Sequence, residues 1–439
     1  MRSFVAPALC GLSLLLAGPA FADATKDCHV GSYRLQDGRA VDIAPTDSEA
    51  LRWRLWSGDT GLLTKQADGT WLSTLGWTNK PDGTAVSFPD CNNVVFNKQT
   101  GARIPFDVTD VTFESNGVKL AGRLVMPKGS SKVPVVVLIH GSEHDSALDF
   151  YSLQRMFPAE GIGTFVFDKR GTGISGGQYT QDFNVLADDD IAAMQEARKL
   201  AGARAGRVGY QGGSEAGWVI PLAVNKAPVD FAIVGFGLAV TVLEEDQESV
   251  ALDMYFHHHS AEDTAKALEL ARAGETLVET RSLDGYDKFD ALRQKYRNEP
   301  WYKDVHGDFL FFVLPLDKKQ MEAAEKQFDF HTPFRYEPMP TLRASTTPQL
   351  WILGTDDLDA PSGETSKRIK SLIADGKDYT LAVYPGAEHG MTLYELDAKG
   401  ERLSTRFAPG YFQMMKDFIV NGGIGDHYGD AEITQPHVR

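Results

Sequence analysis

Two textures of hydrophobic patterning divide the chain. Over residues 28–103, apolar and aromatic side chains come in short runs, Tyr33 with Leu35, Trp53 with Leu55, Trp71 with Leu72 and Val86 with Phe88. Asp37-Gly38, Asp68-Gly69 and Asp82-Gly83 punctuate these runs. Asp-Gly is a strong hairpin signal because the tight turn between strands needs a positive φ. The pattern predicts a small antiparallel β module. Four of the seven tryptophans (Trp53, Trp56, Trp71, Trp77) fall in it; we read them as its core, with a ligand-binding face as the alternative.

From residue 106 the runs lengthen and begin to alternate with helical spacing. Residues 111–114 and 120–126 flank the turn Asn116-Gly117, and 133–139 is a near-continuous apolar run suited to a strand buried on both faces. Residues 164–167, 207–210, 231–235, 349–353 and 379–384 repeat that signal, while Ile191, Met194, Ala197 and Leu200 recur at helical spacing. Strand alternating with helix predicts an α/β fold, a mostly parallel sheet covered on both faces by helices. Residues 238–345 break the alternation with charged helix formers, as in 261–280 and 318–327, and read as a helical cap insertion. The domain reading is a β module over 23–105, a core over 106–237 and 346–424 with the cap between, and a polar, fraying tail over 425–439.

Residues 1–22 carry a positive start, an apolar run and an Ala20-Phe21-Ala22 site, the pattern of a secretory signal peptide, so we expect an exported protein, periplasmic or secreted. No later run is long enough to span a bilayer. Beyond the leader only Cys28 and Cys91 remain, most simply one disulfide in an exported chain. Neither has a second ligand at short spacing, which argues against a metal site. A net charge of -16 argues against nucleic acid and against an anionic membrane surface.

The candidate chemistry centres on residues 208–220, strand-like up to Gly212-Gly213-Ser214-Glu215-Ala216-Gly217 and helix-like from Trp218. Strand, sharp turn and helix with small residues around a serine describe a nucleophile elbow, here with alanine in the last slot of G-x-S-x-G. A serine hydroxyl needs a base and an orienter for that base. His389 follows the strand ending at residue 384, in Pro385-Gly386-Ala387-Glu388-His389-Gly390. Asp357 is the chosen acid, in the loop after 350–353, with Asp356 and Asp359 as rivals. The N–H groups of Glu215 and of Ser142, after His140-Gly141, are the candidate oxyanion donors. Consecutive His257-His258-His259 cannot converge on one metal and read as a solvated cap face. The glycines of 171–177 lack the context of a nucleotide loop, so no cofactor is expected.

Together Gly212-Gly213-Ser214-Glu215-Ala216-Gly217, Leu138-Ile139-His140-Gly141-Ser142, Phe167-Asp168-Lys169-Arg170-Gly171-Thr172-Gly173, the loop of Gly354 to Pro361 and Gly386-Ala387-Glu388-His389-Gly390 resemble the α/β-hydrolase superfamily. More narrowly they are similar to exported bacterial carboxylesterases and to serine aminopeptidase and prolyl-oligopeptidase-like hydrolases. The resemblance covers residues 106–420 and not the β module. It implies a serine hydrolase acting on a small-molecule ester, with Ser214 as nucleophile, Asp357 as acid, His389 as base and His140-Gly141 shaping the oxyanion loop. It implies a structural role for Asp168 and Arg170. A peptidase or amidase with the same triad is the alternative, and a non-catalytic binding protein working through the β module is a third reading. A dehalogenase would need an aspartate at position 214.

Overall fold

The computed structural model describes residues 27–280, 283–325 and 330–436, so the leader over 1–22 lies outside the described residues. The described residues form two compact units, one of those up to 104 with 393–406, the other of those over 105–392 and from 407 on.

The β module is a closed barrel. Strands β1 (Gly31–Leu35), β2 (Ala40–Pro45), β3 (Leu51–Leu55), β4 (Thr60–Lys65), β5 (Trp71–Leu75), β6 (Pro81–Asp90), β7 (Asn93–Phe96) and β8 (Gln99–Arg103) pair antiparallel in order, and β8 returns to β1 with Arg103 opposite Tyr33. Closure leaves no free strand edge. Tyr33, Ile43, Leu63, Val86 and Phe96 fill it with Trp53 and Trp71, whereas Trp77 is 42% exposed beneath the Arg52 guanidinium. Asp37-Gly38 and Asp68-Gly69 lie between paired strands, with the glycines at φ 87° and 86°. Asp82-Gly83 does not: it lies inside β6, where the register against β5 shifts, and the turn falls at 76–80. A glycine within a strand marks such a bulge.

Cys28 and Cys91 form the expected disulfide. Arg103 supports it, donating to the carbonyls of Cys91 at 2.8 Å and Val30 at 2.7 Å. The hairpin over 393–406, read from sequence as part of the core, belongs to this barrel unit. Trp77 N–H donates to the Ser404 carbonyl at 2.8 Å, and Lys80 meets Glu395 at 2.7 Å.

The second unit is built on a mixed sheet. Its strands are β9 (Phe106–Ser115), β10 (Val118–Pro127), β11 (Val133–Ile139), β12 (Gly163–Phe167), β13 (Ala205–Gly213), β14 (Phe231–Gly235), β15 (Gln349–Gly354) and β16 (Tyr379–Tyr384). Their order across the sheet is β9-β10-β12-β11-β13-β14-β15-β16. From β12 to β16 all pairs are parallel, so the carboxyl ends of six strands share one edge. The strands in the middle are buried over most or all of their length, which is why their sequences are apolar without alternation.

Helices α1 (Ala147–Phe150) and α2 (Leu153–Ala159) follow β11, α3 (Phe183–Ala201) precedes β13, and α4 (Ala216–Lys226) leaves it. Asp182 caps α3, accepting from Asn184 and Val185 N–H. The insertion is helical: α5 (Val242–Phe256), α6 (Ala261–Thr280), α7 (Tyr286–Tyr296), α8 (Leu310–Val313), α9 (Lys318–Glu325) and α10 (Pro338–Ala344) lie within it. Its own core gathers Val250, Leu270, Leu277, Phe289 and Trp301. His259 meets Asp304 at 2.8 Å and His257 meets the Asp253 carbonyl at 2.9 Å, so these two rings serve the cap rather than solvent.

Helices α11 (Ser362–Ala374) and α12 (Tyr411–Asn421) complete the cover. The described part of the tail, residues 425–436, does not fray as expected. Residues Glu432–Thr434 pair antiparallel with β16, and the buried Tyr428 donates its hydroxyl to Asp417 at 2.6 Å.

Candidate active site

Parallel pairing brings the loops after β11, β12, β13, β14, β15 and β16 to one edge of the sheet, where open α/β sheets bind ligands. Ser214 stands between β13 and α4 at φ 57°, a left-handed conformation that a side-chain-bearing residue adopts only under constraint. The constraint is visible. Ser214 N–H is shared between the carbonyls of Gly235 and Phe236, each at 3.2 Å, and Gly217 N–H turns back to the Ser214 carbonyl at 2.8 Å. The small neighbours are sterically required: a Cβ on Gly212 would lie 2.6 Å from the Ala216 Cβ, and one on Gly213 only 2.2 Å from the Phe236 ring. Alanine at 216 therefore fits because it faces a glycine.

Asp357 is 1% exposed, and its carboxylate accepts from Asp359 N–H at 3.0 Å and Ala360 N–H at 2.7 Å. Both of its oxygens lie 3.1 Å from His389 Nδ1. Of the three aspartates in this loop Asp357 is the one in contact with the imidazole; Asp356 accepts from the Thr355 hydroxyl at 2.7 Å instead. The loops that carry Asp357 and His389 are laced together. Asp356 N–H donates to the Ala387 carbonyl at 3.0 Å, and a Cβ on Gly354 would strike that same carbonyl at 2.2 Å. Burial alone disfavours a charged imidazole, but Asp357, followed by Asp359 and Asp308, overrides it and raises His389 to about 9.

Phe236 joins the two halves of the site. Its carbonyl accepts from Ser214, and its ring meets the His389 ring edge-on at 4.9 Å. It sits at φ 39°, directly after β14. It carries no polar group to mark it in the sequence; its signal there is a bulky residue between Gly235 and Gly237 at a strand end.

Gly141 approaches the elbow closely, since a Cβ there would stand 3.4 Å from the Ser214 Cβ. Ser142 follows it in the loop, and Glu215 opens α4, where the first N–H groups of a helix have no partner within the helix. The Glu215 side chain turns inward and pairs with Lys169, both almost fully buried. Burial pushes the Glu215 carboxyl up, and Lys169 partly opposes this. Beside them His140 Nδ1 lies 3.2 Å from Glu143. Burial raises Glu143, yet the His140 and Tyr151 contacts outweigh it and hold the carboxyl down at about 2. Asp168 is structural, accepting from Ser146 at 2.8 Å and Ile174 N–H at 3.0 Å, and Arg170 forks onto Asp189 at 2.5–2.6 Å.

A strand-turn-helix elbow carrying a strained serine, with aspartate then histidine on later strand ends, is the arrangement of the α/β-hydrolase fold. The family model "Esterase FrsA-like" matches residues 90–263, the stretch that holds the elbow and the loops after β11 and β12. The chain has the α/β-hydrolase fold. Among curated relatives, the quorum-quenching protein AidA of Acinetobacter baumannii is 34% identical over 99 residues, 22% of this chain and 33% of that protein. The match thus spans about a third of that relative's length. Similar solved structures include an acylaminoacyl peptidase of Pyrococcus horikoshii (13% identity, TM-score 0.43, covering 80% of this chain and 52% of that one). An esterase of Pyrococcus furiosus is another (13% identity, TM-score 0.41, 65% and 85% covered).

Proposed function

We propose that the protein is a serine hydrolase that cleaves carboxylic esters of small molecules through an acyl-enzyme, with Ser214, His389 and Asp357 as its triad. The observation that carries this reading is the pairing of Asp357 with His389 Nδ1 on the same sheet edge as the strained Ser214, with Phe236 touching both. His389 Nε2 takes the Ser214 proton as Oγ attacks the ester carbonyl carbon. The N–H groups of Glu215 and Ser142 hold the oxyanion, and the tetrahedral intermediate expels the alcohol, which leaves with the proton from His389. Water, deprotonated by His389, then attacks the acyl-enzyme and releases the acid and Ser214.

The ester preference draws on the esterase family model. A peptidase or amidase would use the same residues, and a panel of short nitrophenyl esters against aminoacyl anilides separates the two. Labelling by a fluorophosphonate followed by peptide mapping tests the nucleophile: modification should fall on Ser214 and vanish in a folded Ser214→Ala protein. Turnover at the wild-type rate by that variant would sink the assignment. Export to the periplasm or medium belongs to the same proposal, supported by the leader pattern and by a disulfide suited to an oxidising compartment.

A further inference from the structure

The glycine-rich loop after β12 pins the two peptide units that follow His140-Gly141. Lys169, 2% exposed, donates its ammonium to the Gly141 carbonyl at 3.0 Å and to the Glu215 carboxylate. At the far end of the same loop the Tyr179 hydroxyl donates to the Ser142 carbonyl at 2.6 Å. The Lys169 ammonium also lies 4.8 Å from the centre of the Tyr179 ring.

The Gly141 carbonyl and the Ser142 N–H belong to one planar trans peptide, so fixing the first in direction fixes the second, pointing the opposite way. A hydrogen bond to the carbonyl also polarises the amide and strengthens its N–H as a donor. The other oxyanion N–H in the proposed mechanism belongs to Glu215, whose side chain is held by the same ammonium. We propose that Lys169 is a positioning residue for the oxyanion hole, one cation tying both donor-bearing segments in register, with Tyr179 as the second attachment of the loop. This rests on the triad reading above. It explains a buried lysine whose burial is costly: an ion pair of this kind gains little stability over apolar side chains of similar size, so its presence at the hole is better accounted for by direction than by stability. Burial pushes the Tyr179 hydroxyl up, which keeps it a donor.

The test uses the full-length protein and three variants, assayed on a short nitrophenyl ester for kcat and KM and followed by thermal unfolding. Lys169→Met leaves Glu215 alone in the core and should lower both stability and kcat. Lys169→Met/Glu215→Met removes the lone charge while keeping the Glu215 N–H. Its unfolding temperature should recover, while kcat stays about 100-fold down at unchanged KM, the size of loss expected for one misdirected oxyanion donor. A double variant with kcat within about threefold of wild type overturns the proposal, because a purely structural pair would be fully replaced. If neither methionine variant folds, Tyr179→Phe decides: a drop in kcat of about fivefold or more at constant KM supports the strap, and wild-type kcat overturns it. Ser214→Ala run alongside separates the two readings, since activity surviving there defeats the triad rather than the strap.

Discussion

His389 presents Nδ1 at 3.1 Å to both carboxylate oxygens of the buried Asp357, so one acidic side chain orients the ring and leads in setting its charge. In the proposed mechanism the imidazole must be neutral to accept the serine proton, yet its acidic neighbours, Asp357 foremost, raise its pKa to about 9. Activity, kcat/KM on an uncharged ester, should therefore rise with pH along a limb approaching 9. Asp357→Asn should move that limb down by at least a unit and cut kcat about 10⁴-fold. A wild-type limb at or below the ordinary histidine value of 6.5 would contradict the coupling.

The same shift has a signature in stability. A histidine raised in the folded state contributes stability that is complete below 6.5 and lost as pH climbs through about 9. Chemical denaturation across that window should show wild type losing stability relative to His389→Phe. Parallel curves would mean that the imidazole titrates alike in folded and unfolded chains.

Gly213 leaves no room for a side chain beneath Phe236. Gly213→Ala should push the ring against His389 and lower kcat about 100-fold, with a far-UV spectrum like wild type. Phe236→Ala in the Gly213→Ala background relieves the clash and should recover part of the lost thermal stability. Full activity in the single variant would argue that the ring position is immaterial.

The disulfide closes a loop of 63 residues around the barrel. Chain entropy puts its contribution at about 4 kcal/mol. Cys28→Ser/Cys91→Ser should lower the urea midpoint of the barrel transition, read by the fluorescence of buried Trp53 and Trp71. An unchanged midpoint would assign the brace to Arg103 and the strand pairing instead.

Much of the α/β unit was legible because its signals are local. Each buried strand is a short apolar run that stops at a loop of small residues, so Ser214, Asp357 and His389 announce themselves at run ends. Asp357 rather than Asp356 was legible only as a choice among neighbours; the structure separates them by which carboxylate meets the ring. What escaped was long-range or against type. Phe236 has no polar group, and Lys169 is a charged residue with its head group inside the fold. Asp82-Gly83 has the composition of a turn but sits in a bulge, and the last strand is three residues whose partner lies some fifty positions earlier. No local pattern encodes such pairings.

The hairpin over 393–406 gives the barrel unit a split genetic address. Expressing residues from 105 onward would not yield an isolated α/β domain. Such a product would keep a piece of the absent barrel, spliced in just downstream of His389, with Trp77, Lys80 and Asp59 no longer there to receive Ser404, Glu395 and Arg406. Domain swaps and fusions in this protein are better cut as two-segment exchanges, in which barrel and hairpin travel together.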